Sequence, residues 1–289
     1  MSRALPWLTQ TSVELTREID VVDEYGARRR ISIPDERALT LYVDKREVVT
    51  LMTLGAAPEL LALGYLRNQR LIASVHEVES ITVDWDVAAA AVKTRGGLVD
   101  IDAKTAKRSV TTGCGQGTMF GEWMELVDTV QLPDAQAARL RQSALSSMLE
   151  TLRQQPSIHR MAGSVHGCAL FRITSGAPEL MTFVEDVGRH NALDTIAGWM
   201  GMHGVSGHDK AFYTTGRLTS EMVMKSAQMG VPIVVSRNGV TAMGHELATR
   251  LGMTLFGRAA NKHFICYCGA DRFDAEPLPE RPTVRVVSG

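Results

Sequence analysis

A single cysteine lies among three glycines in the segment Gly113-Cys114-Gly115-Gln116-Gly117. Glycine frees the backbone, so this thiol is predicted to lie on an exposed loop that can visit two different sites. Three basic residues just upstream would favour the thiolate, the nucleophilic form: Lys104, Lys107 and Arg108. A glycine-rich turn that holds a small buried hydrophobe explains the same residues, so the loop chemistry alone leaves both interpretations open.

Arginine recurs where predicted strands pass into predicted helices. Arg189 and His190 follow one strand, Arg217 follows the next, and Arg237 follows a third. Free N–H groups at a helix N-terminus bind anions, and strand ends are where ligands gather in layered α/β sheets. Three such turns at one sheet edge predict a phosphate-rich ligand.

Ordinary helix capping accounts for part of the same pattern. Asn191 with Asp194, and Thr219 and Thr241 in the other two turns, are residue types that satisfy N–H groups in a first helical turn. In that alternative Arg217 and Arg237 are simply solvated, which leaves each of those two turns ambiguous when it is taken alone. Capping explains Arg189 and His190 less easily, because two donors beside a helix N-terminus form an anion site.

A fourth turn has a small-residue centre and three side chains that can be cationic, which suits a nucleotide or a phosphate. Its residues are Arg258, Ala259, Ala260, Asn261, Lys262 and His263. Cys266 and Cys268 follow at i and i+2, hence on one face of a regular strand, and burial explains them better than metal binding. His166 with Cys168 is likewise expected to be structural. No metal site is predicted.

The elements that must position these residues fall into two sets. Residues 39–44 and 47–52 are predicted to form a hairpin around Lys45-Arg46, Pro58 to open a helix, and 79–84 and 89–94 to form strands. A helical pattern runs from Asp134 to about Gln154. Strands and helices then alternate: strands 168–174 and 180–185, helix 191–202, strand 211–215, helix 220–229, strand 232–236, helix 241–251, and strands 253–257 and 264–268.

This order predicts an α/β protein with a layered main domain and a smaller β-rich unit before it. The predicted boundaries are an N-terminal extension over 1–37, a β-rich domain with the Cys114 loop over 38–133, the α/β domain over 134–273, and a loose tail over 274–289.

Composition excludes several classes of protein. The 289 residues carry a net charge of −1, so the chain lacks the large positive charge with which a non-specific nucleic-acid binder attracts phosphates. No window approaches the roughly 18 consecutive apolar residues of a membrane-spanning helix. The first residues do not resemble a secretory signal, so a cytoplasmic protein with four free thiols is expected.

Several segments together resemble the FdhD (FdhD/NarQ) family of formate dehydrogenase accessory proteins over about residues 38–273. The most specific is Glu185-Asp-Val-Gly-Arg-His-Asn-Ala-Leu-Asp194. The others are Val165-His166 with Ala169-Leu170-Phe171, Gly216-Arg217 with Ser220-Glu221-Met222-Val223, Pro232 to Arg237, Gly257-Arg-Ala with Phe264, and Met52-Thr53 followed by Glu59 to Leu66.

The resemblance implies a cytoplasmic sulfurtransferase with a cytidine-deaminase-like α/β fold that lacks the zinc and forms homodimers. Such a protein accepts sulfur from a cysteine desulfurase as a cysteine persulfide. It then sulfurates the Mo-bis(molybdopterin guanine dinucleotide) cofactor, its bound client, before insertion into the formate dehydrogenase catalytic subunit. Cys114 aligns with the persulfide cysteine and residues 258–263 with the cofactor-binding segment. Arg189, His190, Arg217 and Arg237 become candidate phosphate partners.

One departure from the family pattern keeps alternatives open. The family loop is usually C-x-x-C, whereas Gly117 occupies the second position here. One thiol can still carry sulfur, because the acceptor attacks the outer sulfur atom directly, but it cannot form a disulfide within the loop. The competing hypothesis is an escort that binds and delivers the guanylated cofactor without transferring sulfur. A metal-dependent deaminase relative that uses His166, Cys168, Cys266 and Cys268 is a third possibility.

Overall fold

A computed structural model of the chain describes residues 4–97, 127, 129–173 and 176–276. Within these ranges it is a mixed α/β protein with several sheets, so the predicted class is confirmed. The cytidine-deaminase-like layering and the domain boundaries stay predictions. The predicted Cys114 loop and the tail from residue 277 lie outside the described residues.

The first half contains a five-stranded sheet, whose strands are β1 Trp7–Leu8, β4 Arg37–Val43, β5 Arg46–Thr53, β6 Val78–Asp84 and β7 Ala89–Thr94. Their order in the sheet is β1-β6-β7-β4-β5, with β1 parallel to β6 and β4 parallel to β7. A separate hairpin is formed by β2 Thr16–Val22 and β3 Arg28–Pro34. Every strand predicted in this half is present.

The β4–β5 hairpin turns one residue earlier than the sequence suggests. Asp44 and Lys45 have positive φ values of 47° and 71°, as in a two-residue turn whose twist matches the strands, so Arg46 already belongs to β5. Leu39, Leu41 and Val43 alternate inward from β4 and form a core with the helix that follows.

That helix, α1 Pro58–Asn68, begins at proline as predicted. It is covered on nearly every side because it packs against helix α4, Arg189–Met202, from the second half. Gly64 and Gly198 make this packing possible, since each brings its helix against the backbone of the other. The two halves therefore share one closely packed helix pair.

The second half is built on a six-stranded sheet, whose strands are β9 His166–Arg172, β10 Glu179–Asp186, β11 Lys210–Thr214, β12 Ile233–Ser236, β13 Thr254–Ala260 and β14 His263–Cys268. Their order in the sheet is β10-β9-β11-β12-β13-β14. Strands β11, β12 and β13 are parallel to one another, and β9, β10 and β14 are antiparallel to their neighbours. All six were predicted, with ends that differ by three residues at most.

Helices cover both faces of this sheet. On one face α4, α5 Ser220–Gln228 and α6 Ala242–Arg250 pack around Leu170, Phe212 and Val234. On the other face α2, Gln142–Gln154, packs on Phe171 and Tyr213, and the short helix α3, Ile158–Ala162, follows it. Because both faces are covered, β11 and β12 are buried along their whole length.

Two segments at the ends of the α/β half differ from expectation. The helix predicted from Asp134 begins only at Gln142, because Leu140 and Arg141 form a short strand, β8, beside β15, Phe273–Asp274. The pairing places Leu140 in the core under α2. The first residues of the predicted loose tail are therefore bound to the rest of the α/β half. Asp274 pairs with Arg139, and Glu276 accepts a hydrogen bond from Ser143.

Candidate functional site

The arginine-bearing turns lie at one edge of the six-stranded sheet, as predicted. Asp186 at the end of β10 pairs with His166 at the start of β9, and Thr214 at the end of β11 pairs with Ser236 at the end of β12. The end of β13 follows on the same side because β13 is parallel to β12. Strand ends from four strands therefore converge there.

A cleft of about 300 Å³ lies between this edge and helices α2 and α3. Of the predicted site residues, Arg237, Ala259, Ala260 and Asn261 line it. Its other lining residues are Leu149, Leu152, Arg153, Ser157, His159, Arg160, Gly167, Phe183, Glu185, Tyr213 and Thr215. The volume is at the lower end of the range for small-molecule sites.

The cleft is cationic. Arg153, Arg160 and Arg237 line it, against one acidic side chain among the described lining residues, Glu185. The Arg153 guanidinium pairs with Glu150 on its own helix, whereas no carboxylate of the described residues pairs with Arg160 or Arg237. The Glu185 carboxylate is already occupied, because it accepts hydrogen bonds from Ser157 Oγ at 2.7 Å and from the backbone N–H groups of Ile158 at 2.6 Å and His159 at 3.2 Å. Excess guanidinium groups around a small cavity favour phosphate or carboxylate ligands.

Sequence analysis missed three of the side chains that line the cleft, Arg153, His159 and Arg160. They lie on α2 and α3, in stretches that look like ordinary solvated helix surface, and only the packing of these helices on the sheet brings them to the strand ends. Arg160 Nη1 donates to the Arg153 carbonyl at 2.7 Å, which ties the two helices together. No local motif marks them.

The turn predicted over 258–263 is shorter in the structure: residues 258–260 continue β13 and His263 begins β14, because Ala260 pairs with His263 across a turn formed by Asn261 and Lys262. Arg258 and Asn261 both adopt positive φ, at 51° and 55°. The Arg258 N–H donates to the Asn238 carbonyl at 2.8 Å, which holds the turn against the loop after β12. Ala259 is buried, whereas Arg258, Lys262 and His263 are exposed at the same edge without lining the cleft.

Arg217 and Arg237 occupy different positions. Both are exposed, but Arg237 lines the cleft and Arg217 does not. The loops that carry them are held together, because Asn238 Nδ2 donates to the Thr215 carbonyl at 2.9 Å and Ser236 Oγ donates to the Gly216 carbonyl at 2.5 Å. The structure therefore distinguishes two arginines that the sequence treats alike.

Arg189 and His190 are buried, at 7% and 4% exposure, and neither lines the cleft. Arg189 packs on Gly216. His190 Nε2 lies 3.6 Å from Glu221 Oε2. Burial and the nearby cations Lys225 and Arg189 lower the pKa of His190 to about 2, so the ring is neutral. Neither side chain presents a charge to this cleft.

Acid is expected to destabilise the fold through His190. Its folded pKa lies below its ordinary value of 6.5, so the unfolded chain binds the proton and stability falls as pH drops below 6.5. Between pH 6.5 and 5 this residue should cost about 2 kcal/mol of unfolding free energy. Urea unfolding at both pH values should show that His190→Leu loses less unfolding free energy between pH 6.5 and 5 than the wild type does. His208→Leu, at an exposed histidine, should keep the wild-type dependence, and equal slopes for wild type and His190→Leu would contradict the assignment.

The rest of the Glu185–Asp194 motif joins the two halves of the chain, and the capping hypothesis for Asn191 and Asp194 is wrong. Helix α4 begins at Arg189, so both lie inside it. Asn191 Nδ2 donates to the Met52 carbonyl at 2.7 Å and to Asp186. Asp186 also accepts from Thr53 Oγ1 at 2.5 Å and from the Leu54 N–H at 3.1 Å.

The described cysteines are poor nucleophiles. Cys168 is fully buried, and burial raises its pKa to about 12, so it cannot supply an exposed second thiolate. Burial also raises the pKa values of Cys266 and Cys268. The prediction that these two share one face is wrong, because the register of β14 shifts beside Phe256. Cys266 packs into the hydrophobic core on the face of the sheet that α2 covers, and Cys268 packs into the core on the face that α4, α5 and α6 cover.

Two further observations concern the described residues alone. They contain no group of three or more His, Cys, Asp or Glu side chains placed to hold a metal ion. None of their helices combines the length and apolar character that crossing a membrane requires.

Comparisons with known proteins agree with the sequence motifs and the fold. The family model described as the FdhD/NarQ family matches residues 34–274. A Listeria monocytogenes protein named sulfur carrier protein FdhD is 28% identical over 243 residues, which cover 83% of this chain and 91% of that protein. A Bacillus subtilis protein of the same name is 29% identical over 241 residues, covering 82% and 88%.

A solved structure gives the same result. The crystal structure of a protein from Desulfotalea psychrophila, assigned as a formate dehydrogenase accessory protein, superposes with a TM-score of 0.69. The two sequences are 25% identical, and the match covers 89% of this chain and 98% of the other. Since the family model spans most of the chain and the fold agrees, this protein belongs to the FdhD/NarQ family.

Proposed function

We propose that this protein is a sulfur carrier for formate dehydrogenase, and that it sulfurates a Mo-bis(molybdopterin guanine dinucleotide) cofactor before the cofactor enters the enzyme. The relatives' name, sulfur carrier protein, supports the class of activity. The observation that carries the proposal for this chain is the cationic cleft at the sheet edge, lined by Arg153, Arg160 and Arg237. A client with two guanine dinucleotides brings several phosphates to such a cleft.

The cleft also offers surface to a base. Phe183 and Tyr213 line it, and burial raises the pKa of Tyr213 to about 12, so its ring stays uncharged. Asn261 and Thr215 add polar groups at the rim. In this arrangement the 258–263 turn and the strand-end loops hold the nucleotide part of the client, and the arginines pair with its phosphates.

The sulfur chemistry needs only one thiol. The Cys114 thiolate attacks the outer sulfur of the desulfurase persulfide, and the desulfurase cysteine leaves as a thiolate. An electron pair of the client then attacks the outer sulfur of the Cys114 persulfide, so that a bond from the client to sulfur forms as the S–S bond breaks. The Cys114 thiolate leaves with the electron pair of that S–S bond, and the client, which supplied the pair for the new bond, is oxidised by two electrons. The buried Cys168 takes no part in this cycle. A cysteine desulfurase, the formate dehydrogenase catalytic subunit and a second copy of this chain are the proposed partners, in the cytoplasm.

Two measurements test the proposal, one for sulfur transfer to Cys114 and one for nucleotide binding in the cleft. After incubation with a cysteine desulfurase and cysteine, intact-protein mass spectrometry should show one added sulfur on the wild type and on Cys168→Ser but none on Cys114→Ser. Arg237→Met should keep that adduct but bind GDP about tenfold more weakly by calorimetry, because it loses a charge-assisted contact. Arg28→Met, at an exposed position on the β2–β3 hairpin, is the matched control for both measurements.

The outcomes separate the alternatives. With a desulfurase shown to be active on another acceptor, the absence of an adduct on the wild type would overturn the carrier role. Continued GDP binding would then favour the escort. Equal GDP affinity in Arg237→Met and Arg28→Met would remove the cleft from the proposal.

A further inference from the structure

A second cavity, of about 650 Å³, is larger than the cleft and shares no lining residue with it. It lies at the C-terminal ends of α1 and α5, where Arg67, Arg70 and Gln228 line its wall. Its volume is typical of a site for a small molecule. The proposed sulfur-carrier function does not use it.

Arg67 is a half-buried cation whose charge is not balanced by the described residues. Within those residues no carboxylate oxygen lies within 4 Å of its guanidinium and no oxygen accepts a hydrogen bond from it. Burial lowers the pKa of Arg67, which reflects the cost of holding the charge away from water. The negative end of the α1 dipole favours a cation here but leaves the guanidinium N–H groups without an acceptor.

Arg70 occupies a position that usually belongs to glycine. It has a left-handed φ of 56° immediately after α1, where the Leu71 N–H donates to the Leu66 carbonyl at 2.8 Å. A side chain at this point of the helix ending strains the backbone, and glycine avoids the strain. The backbone is therefore strained at Arg70, and a glycine there would relieve the strain but would remove the second guanidinium from the cavity.

Gln228 adds an unpaired amide. Both its Nε2 and its Oε1 are buried, and neither has a hydrogen-bond partner among the described residues. Such an amide in a polar cavity has room for a ligand that offers both an acceptor and a donor. Glu77, the acidic residue among the described lining residues, is occupied, because it accepts from the N–H groups of Ala73 at 3.0 Å and Ser74 at 2.9 Å.

We propose that this cavity binds a small organic oxyanion, a carboxylate or a phosphate, as a second site independent of the cleft. Arg67 and Arg70 pair with the oxyanion, since a guanidinium presents two parallel N–H donors to either group. Gln228 hydrogen-bonds to the body of the ligand. The bound ligand supplies the charge partner for Arg67 and the hydrogen-bond partners for Gln228 that the described residues do not provide.

Calorimetry on the full chain, with inorganic phosphate and with citrate as separate probes, tests the site. We expect at least one probe to bind, and the one that binds tells a phosphate ligand from a carboxylate ligand. Arg67→Met should weaken that binding about tenfold or more, the loss expected for a charge-assisted hydrogen bond. Arg29→Met, at an exposed position on the β2–β3 hairpin, should leave that binding unchanged, and Arg237→Met identifies any binding of the same probe in the cleft.

A stability measurement distinguishes a ligand site from a structural role. Without ligand, Arg67→Met should keep or raise the thermal midpoint because it removes an unpaired charge, and Arg70→Gly should raise it because it relieves the backbone. Both should bind the probe more weakly. The proposal would be overturned by binding of neither probe, by a loss confined to Arg237→Met, or by a lower midpoint in Arg67→Met with unchanged affinity.

Discussion

Gly64→Ala should cost more than about 4 kcal/mol of unfolding free energy, a value in the exceptional range for one substitution. A Cβ at this position would lie 1.7 Å from the Asp194 carbonyl oxygen and 2.7 Å from the Gly198 backbone nitrogen. Both atoms belong to the backbone of α4, so no side chain can move to relieve the clash. Total stabilities are only about 5–15 kcal/mol, so a substantial unfolded population is expected.

Urea unfolding followed by circular dichroism measures this effect, with Gly96→Ala as the control. A Cβ on Gly96 meets no atom within 4 Å, so that variant should stay within about 0.5 kcal/mol of the wild type. Gly198→Ala should repeat the Gly64 result, because its Cβ would lie 2.0 Å from the Leu60 carbonyl oxygen. Equal stability of the Gly64 and Gly96 variants would mean that α1 and α4 are further apart than described.

Asp194→Ala should cost about 3–5 kcal/mol, the range for breaking a buried ion pair by removing one partner. Asp194 and Lys225 are both 0% exposed, and Lys225 Nζ donates to Asp194 Oδ2 at 2.9 Å. Asn68 Nδ2 donates to the other carboxylate oxygen at 2.7 Å, so the pair connects α4, α5 and α1. Without the carboxylate, Lys225 is left as a buried cation beside the partly exposed Glu221.

A double-mutant cycle with Lys225→Met tests the coupling. The combined variant should lose clearly less than the sum of the single losses, because it no longer holds an uncompensated charge. Strictly additive losses would show that the two charges do not stabilise each other.

The pair also gives the fold a limit in alkali. Burial alone would lower the pKa of Lys225, but the charges of Asp194 and Glu221 outweigh it and raise the pKa. A raised lysine pKa contributes stability that is complete below the ordinary value of 10.5 and is lost as pH rises through the folded value. Lys225→Met should therefore lack this alkaline loss in the same urea experiment.

Local patterns predicted the elements well because each is short and clearly periodic. The β4–β5 hairpin, the proline at the start of α1 and the strand-helix alternation from β11 to β13 are all present. The errors come from interactions that the local pattern does not contain. The β8–β15 pairing delays α2 to Gln142, and the register shift beside Phe256 separates Cys266 from Cys268.

Part of the candidate site could likewise be predicted from local sequence patterns, and part of it depends on tertiary packing. Strand ends that carry arginine were recognisable, but which arginine reaches the cleft depends on how the loops are held, and only Arg237 of the four predicted partners in those three turns lines it. Arg189 and His190 do not line the cleft, because the helix start that carries them is buried. Arg153 and Arg160 needed the tertiary packing of α2 and α3 to be found.

The contact between α1 and α4 limits how this protein can change in evolution. A fragment that starts after residue 133 would expose to water the face of α4 that α1 covers, including the backbone around Gly198. A half recombined from a relative would have to bring a glycine to that contact and an acceptor for Asn68. The two halves are therefore expected to be inherited together, with residues that are far apart in sequence changing as a unit.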